Sequence, residues 1–185
     1  MKNPNEGTIM EILDSLVNSG SETRIERKLI IWVPEDRVFV ATNGKSMGVY
    51  KVSKERAENF PKTLTGYRYD KEAGLIQSQI SIESLYPYKS VIPQQEAQGI
   101  TTTSFKRNQL ITVASKISAI YGCFIDGETI APISKLIKPS HTYYVASPGD
   151  NKAIRMDFPE YDFTFVFMPI YREQGFSMKK RSIAE

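Results

Sequence analysis

The chain has 185 residues, of which 41% are hydrophobic and 24% are charged, close to the averages of folded globular proteins. Its 24 basic and 21 acidic residues leave a net charge of +3, too small to indicate strong nonspecific binding to nucleic acid. The one cysteine, Cys123, excludes an intramolecular disulfide and is typical of a reducing compartment. The start lacks signal-peptide character and no run approaches the roughly 20 apolar residues of a membrane span. We therefore expect a cytoplasmic protein.

The first predicted element is a helix. Apolar residues recur at helical spacing over residues 9–17, and Gly20 can end the helix. Thr8 is a candidate N-cap, and Glu11, three residues later, would complete a capping box.

Three strands are predicted next. Residues 28–33 favour a strand, and residues 37–41 favour a second one that runs into a turn. Asn43 and Gly44 form the pair best able to adopt the positive φ angles of a hairpin turn, so a third strand is expected up to Tyr50. The first fifty residues thus read as α-β-β-β.

The middle of the chain has weaker patterns. Residues 53–66 are polar and broken by Pro and Gly, which predicts a loop with a helical turn. One or two weak strands are expected around Gly74, and residues 94–99 read as a polar connection.

The second half predicts a β-α-β-β-β order after another helix. An amphipathic helix is expected over residues 105–120 and a short strand over residues 123–125. A further helix is expected over residues 128–138, although Pro132 is tolerable only within its first turn. The three strands expected after it cover residues 142–146, 153–158 and 162–170.

Three segments carry a resemblance to a known family, and they occur in the family's order. They are Ala41-Thr42-Asn43-Gly44-Lys45-Ser46-Met47, Tyr86-Pro87-Tyr88-Lys89-Ser90-Val91-Ile92-Pro93 and Phe163-Thr164-Phe165-Val166-Phe167-Met168-Pro169-Ile170-Tyr171-Arg172. They resemble the Ala-Thr-Asp-Gly hairpin, the Phe-Pro-Asp-Tyr connector and the Met-Pro-Met-Arg ending of bacterial DNA sliding clamps, the beta subunit of DNA polymerase III. Asn43 replaces the usual Asp, Met47 takes the Leu position, and the connector is one residue shorter.

The resemblance implies an α+β fold of the sliding-clamp type, built from β-α-β-β-β units. The fold would be reduced in size, because a bacterial clamp has three domains and 185 residues are too few for a standard subunit. Residues 1–85 would form a first clamp-like half. Residues 86–185 would form a second half that resembles the last clamp domain and carries a basic C-terminal tail.

The resemblance also implies a peptide-binding groove. In that family, partner proteins insert a short motif with a glutamine and bulky apolar residues between two domains. Met and Ile would supply a deformable apolar floor, and an arginine could meet a peptide carbonyl or carboxylate. The alternative is that the apolar members are simply core residues of a β protein. Carried over by position, the groove residues are Thr42, Gly44, Met47, Pro87, Val91, Met168, Pro169, Ile170 and Arg172.

Basic residues on two predicted helices are the candidates for facing DNA. Clamps hold duplex DNA loosely through such charges, without reading bases. The first helix departs from this pattern, since it carries Glu11 and Asp14 and no basic residue between residues 9 and 20. The DNA-facing candidates are Lys106, Arg107, Lys116, Lys135 and Lys138.

No catalytic or metal-binding pattern stands out, so we expect no enzyme and no cofactor. His141 is the only histidine and is expected to be a turn residue before a strand. Asp157, Glu160 and Asp162 could suggest a divalent-metal site, but a solvated hairpin turn explains them better.

Three functions remain open from the sequence. The first is a processivity factor of DNA replication that binds polymerase-type partners through the groove, holds double-stranded DNA weakly, and closes a ring by homo-oligomerisation. The second is a monomeric clamp mimic or adaptor that binds clamp-interacting proteins without encircling DNA. The third, a small α+β enzyme acting on nucleic acid, is disfavoured because a nucleophile, a metal cluster and a phosphate loop are all lacking.

Overall fold

The computed structural model describes residues 6–18, 28–102, 109–149 and 152–171. Within these ranges, every helix is too short or too polar to cross a bilayer. The elements are α1 (Glu6–Asn18), β1 (Ile30–Val33), β2 (Val38–Thr42), β3 (Ser46–Lys51), α2 (Lys54–Ala57), β4 (Thr65–Asp70), β5 (Gly74–Ser81), α3 (Tyr88–Val91), β6 (Gln98–Thr101), α4 (Gln109–Tyr121), β7 (Cys123–Phe124), α5 (Gly127–Ile130), β8 (Thr142–Ala146), β9 (Ile154–Phe158), β10 (Phe163–Phe167) and β11 (Ile170–Tyr171).

One large antiparallel sheet organises the fold. Its nine strands run in the order β5-β4-β1-β2-β3-β10-β9-β8-β6, and β11 pairs separately with β7. The first five strands come from the first half of the chain and the other four from the second half. The two groups meet where β3 pairs with β10.

The two faces of this sheet bury different layers because strand side chains alternate between faces. Trp32 and Phe39 point to the face covered by α1, α4 and the helical segment after α5, and they belong to the larger core cluster. Ile31 and Val40 point to the opposite face and form a second cluster with Tyr88. Helices therefore cover one face, and the segment around α3 covers the other.

The first helix starts earlier than predicted. Thr8 lies inside α1, which begins at Glu6, so the predicted capping box of Thr8 and Glu11 is wrong. Glu6 is buried in the first turn and accepts a hydrogen bond from the Arg56 guanidinium. This long-range pair stabilises the first turn of α1, and local capping signals in the sequence do not predict it.

The prediction of a single helix over residues 128–138 is also wrong. This segment is α5 followed by a 3₁₀ helix over Ala131–Leu136. The Asp126 side chain caps α5 by accepting from the Glu128 N–H at 3.1 Å. Pro132 has no N–H to donate to the preceding turn, so the α-helical pattern does not continue and the chain tightens into 3₁₀ geometry.

Two strands were missed and one was split. β4 begins in the last two residues of the predicted loop over residues 53–66, and β6 begins in the last two residues of the polar connection over residues 94–99. The last predicted strand ends at Phe167 and resumes at Ile170, since Pro169 cannot donate to a ladder. The part of the predicted helix over residues 105–108 lies outside the described residues.

Candidate functional site

The hairpin between β2 and β3 turns at Gly44, which has φ 87° and is the first of the two central turn residues. Glycine tolerates this positive φ without strain. The Asn43 side-chain oxygen accepts from the N–H groups of Lys45 and Ser46, at 3.0 and 2.8 Å. An Asp side chain at this position would offer the same acceptor to these two N–H groups.

The end of β10 is fixed against this hairpin. The Met168 N–H donates to the Lys45 carbonyl at 2.9 Å. Two residues before Met168, Val166 pairs with Met47. The hairpin and the C-terminal segment that resemble clamp motifs are therefore direct neighbours, although about 120 residues separate them in sequence.

Residues 82–95, which we call the strap, cross the sheet face opposite the helices. Asp36, in the turn between β1 and β2, holds one part of the strap: its Oδ1 lies 2.6 Å from the Lys89 ammonium and its Oδ2 accepts from the Tyr88 hydroxyl. Burial raises the pKa of the Asp36 carboxyl, but the hydrogen bonds from Lys89 and Tyr88 outweigh burial and hold that pKa below its usual range. Burial, reinforced by the bond to Asp36, raises the pKa of Tyr88.

A groove forms between the strap and the β3–β10 junction. Its cavity has a volume of about 210 Å³. An adjoining cavity of about 510 Å³ shares Val91, Ala153 and Met168 with it. A larger one of about 890 Å³ shares Tyr86. The groove is lined by Thr42, Gly44, Lys45, Ser46, Met47, Tyr86, Val91, Ala153, Val166, Phe167 and Met168.

Five of the nine predicted groove residues line this one cavity. Their exposure differs, because Met47 is 4% exposed and belongs to the second core cluster, whereas Val91 and Met168 are 49% and 47% exposed. The interpretation as core residues therefore suits Met47 and does not suit the other two. The five residues are Thr42, Gly44, Met47, Val91 and Met168.

The other four predicted groove residues are placed differently. Pro87 lines the larger neighbouring cavity, and Pro169 is buried after Met168. The backbone of Ile170 pairs with Phe124 in the small sheet. Arg172 lies outside the described residues.

Sequence reasoning missed several groove residues, notably Tyr86, Ala153 and Val166. Tyr86 opens the connector segment that resembles the clamp motif, so that segment held a usable signal. Val166 joins the groove only because it pairs with Met47, and this register between distant strands cannot be read from either strand alone.

The DNA-facing candidates within the described residues lie on the helix side of the sheet. The Lys116 ammonium donates to the Thr101 carbonyl, and Lys135 pairs with Glu11 on α1. The Lys138 ammonium lies 5.0 Å from the centroid of the Tyr161 ring, and its hydrogen bond to Tyr161 raises its pKa. Lys106 and Arg107 lie outside the described residues.

The two acidic residues of α1 on the helix side, Glu11 and Asp14, lie in different electrostatic environments. The hydrogen bond from Lys135 lowers the pKa of the Glu11 carboxyl. The Lys71 ammonium, 3.5 Å from Glu11, acts in the same direction. Burial raises the pKa of Asp14. Of these two acidic residues of α1, Glu11 is therefore paired with lysines from other elements.

Two of the three carboxylates around Pro159 have side-chain partners. Asp157 Oδ2 lies 2.9 Å from Arg155 Nε, and Asp162 ends the turn with φ 49°. Glu160 Oε1 lies 3.6 Å from Nε2 of His141, which directly precedes β8. Across the part of the chain that the structure describes, no group of three or more His, Cys, Asp and Glu side chains is arranged to hold a metal ion.

Comparisons with known proteins address the fold. No protein-family model and no curated protein matches the chain. Among solved structures, the DNA polymerase sliding clamp from Bacillus subtilis superposes with a TM-score of 0.56 at 12% identity, over 89% of this chain and 62% of that chain. The Helicobacter pylori beta clamp bound to a DNA ligase peptide superposes with a TM-score of 0.52 at 10% identity, over 91% and 64%.

The chain has a sliding-clamp fold. The predicted α+β clamp architecture is thereby confirmed. This clamp fold spans only 62% and 64% of the two solved clamp chains. At 10–12% identity the likeness establishes the fold, and function has to be argued from the site.

Proposed function

We propose that this clamp-fold chain is a non-enzymatic processivity factor of DNA replication that binds polymerase-type partners through the groove. The observation that carries the proposal is the convergence of three clamp-like segments on one cavity. The hairpin supplies Met47, the strap supplies Val91, and the segment after β10 supplies Met168.

The chemistry of the groove suits a short apolar peptide. Met168 and Val91 are half-exposed apolar side chains on its rim, and Met47 and Val166 form a buried floor. Methionine side chains adapt to differently shaped apolar partners, and exposed apolar clusters of this kind mark interaction sites. The DNA ligase peptide held by the similar Helicobacter pylori clamp supports the same class of partner.

The helix side of the sheet is the proposed DNA side. Lys116, Lys135 and Lys138 all lie there, on the face opposite the groove. A few lysines meeting phosphates would give weak binding to double-stranded DNA, independent of sequence. Ring closure would then join copies of the chain through the two end strands of the sheet, β5 and β6.

We also propose that the chain divides into two clamp-like halves, residues 1–85 and 86–185. Strands β1 to β5 belong to the first half, and the strands from β6 onward belong to the second. Among the described strands, the only ladder of the large sheet that joins the two groups is β3 with β10.

The environments of Cys123 and Asp157 support a non-enzymatic role. Burial raises the pKa of the Cys123 thiol, which disfavours the nucleophilic thiolate. Asp157 is committed to Arg155 and to Thr164, whose hydroxyl lies 2.9 Å away.

The second candidate is a monomeric clamp mimic or adaptor that keeps the groove and does not encircle DNA. Glu11 and Asp14 on α1 favour it, because they place carboxylates on the proposed DNA side.

Mass determination in solution separates the two candidates, combined with retention on circular and linear duplex DNA. A ring-forming oligomer that stays on circular DNA and slides off linear DNA supports the processivity factor. A monomer with no affinity for DNA at low salt overturns it in favour of the mimic.

A further inference from the structure

The strap is held at two places by polar contacts, and the two places differ in how much apolar packing supports them. Near Asp36, the Tyr88 side chain is 6% exposed and belongs to the second core cluster. At the other end, Ile92 packs against the same cluster and Pro93 is buried, whereas Gln94 and Gln95 are exposed and Val91 is 49% exposed. Residues 94 and 95 of the strap therefore depend on polar contacts rather than on apolar packing.

Arg155 on β9 supplies those contacts. One terminal nitrogen of its guanidinium donates to the Pro93 carbonyl, and the other lies 3.3 Å from the Gln95 carbonyl. Its Nε donates to Asp157 Oδ2 at 2.9 Å, and Thr164 holds the other oxygen of that carboxylate. The Arg155 side chain is 17% exposed, and its hydrogen bonds to Pro93 and Asp157 are partly buried.

These contacts depend on the forked arrangement of N–H donors in the arginine guanidinium. Three donors of one planar group reach two backbone carbonyls and a carboxylate at the same time. A lysine could keep the ion pair with Asp157 but could not hold both carbonyls of the strap. Asp157 thus fixes the orientation of Arg155, and Arg155 fixes the strap.

The anchored segment is a wall of the groove. Residues 90–95 line the cavity of about 510 Å³ that adjoins the groove, and Val91 lines both. Val91 lies two residues before Pro93, so a shift of the Pro93 anchor moves Val91 relative to Met168 on the opposite wall.

We propose that Arg155 is a positioning residue for the groove: it holds the C-terminal end of the strap and thereby sets the gap between Val91 and Met168. This inference rests on the proposed function, because the gap matters only where a partner segment enters it. Arg155 itself does not line the groove.

The test compares four forms of the full chain: wild type, Arg155→Gln, Arg155→Lys and the matched control Arg68→Gln. Arg68 is an exposed arginine on β4 of the same sheet, so the control removes an equal charge away from the strap. Two quantities are measured for each form. One is amide hydrogen exchange of the segment over residues 90–97, and the other is affinity for a short peptide with a glutamine followed by leucine and phenylalanine.

We expect Arg155→Gln to speed exchange in that segment and to weaken peptide affinity roughly tenfold, while its urea unfolding stays cooperative. Arg155→Lys should recover part of both properties, and Arg68→Gln should match the wild type. Wild-type exchange or wild-type affinity in Arg155→Gln would overturn this inference alone. Failure of the wild type to bind the peptide would instead overturn the proposed function.

Discussion

Met47 and Val166 are opposite each other where β3 pairs with β10, and both side chains line the groove. Among the described strands, this pair belongs to the only ladder of the large sheet that joins the first half to the second. The floor of the groove and the junction of the two halves are therefore the same contact. A change that loosens the junction should change the groove as well.

The fit of α1 against β3 leads to a prediction about stability. A Cβ atom on Gly48 would lie 2.6 Å from Leu13 Cδ2 and 3.0 Å from the Phe163 ring, and both neighbours are buried. We expect Gly48→Ala to destabilise the fold by about 1–3 kcal/mol, because an added methyl group overpacks this site.

Urea unfolding measures this effect, and Gly127→Ala is the matched control. An added Cβ at Gly127 meets open space, so its midpoint should stay close to that of the wild type. Equal midpoints for the two variants would show that α1 does not pack closely over Gly48.

The Asp36 contact with the strap predicts a pH dependence. The folded-state pKa of Asp36 lies below its unfolded value, so its stabilisation is present above about pH 4 and is lost as pH falls through the folded pKa. We expect Asp36→Asn to lower the free energy of unfolding by on the order of 1 kcal/mol at pH 7. The difference from the wild type should shrink at pH 3. A difference that is the same at both pH values would mean that the carboxylate charge is not what holds Tyr88 and Lys89.

The proposed DNA side predicts a salt-dependent effect of its lysines. Replacing Lys135 and Lys138 by Gln should weaken duplex binding and reduce the slope of log affinity against log salt by about 2, since each phosphate that is no longer neutralised lowers the slope by roughly 0.9. Peptide affinity should not change, since the groove is on the opposite face. The charge-matched control replaces Lys62 and Arg68 by Gln. If this control weakens DNA binding as much, the helix side has no special role.

The sequence predicted the parts of the fold that local patterns determine. The hairpin at Gly44, the strand over residues 142–146 and most of α1 follow from turn chemistry and apolar periodicity. β6 was missed because it is a short end strand in which Ile100 alone is a buried hydrophobic residue. Its strand conformation depends on pairing with β8, which no local pattern reveals.

The candidate site was likewise predictable only where local sequence patterns determine it. Its three segments were recognisable as motifs, and five residues from them line one cavity. Exposure was not predictable, because the burial of Met47 and the 47% exposure of Met168 depend on which distant segments cover them. The role of Arg155 was equally hidden, since its partners at Pro93 and Gln95 lie about 60 residues away in sequence.

Titration of a peptide carrying a glutamine followed by leucine and phenylalanine tests the central claim, that the groove binds partner segments. We predict micromolar affinity, roughly −8 kcal/mol, for the wild type. Met168→Lys should abolish binding and leave the fold intact, because Met168 is 47% exposed. The control Ile111→Lys makes the same change at a 59% exposed site on α4, on the opposite face, and should bind like the wild type. No binding by the wild type, or equal binding by Met168→Lys, would contradict the account.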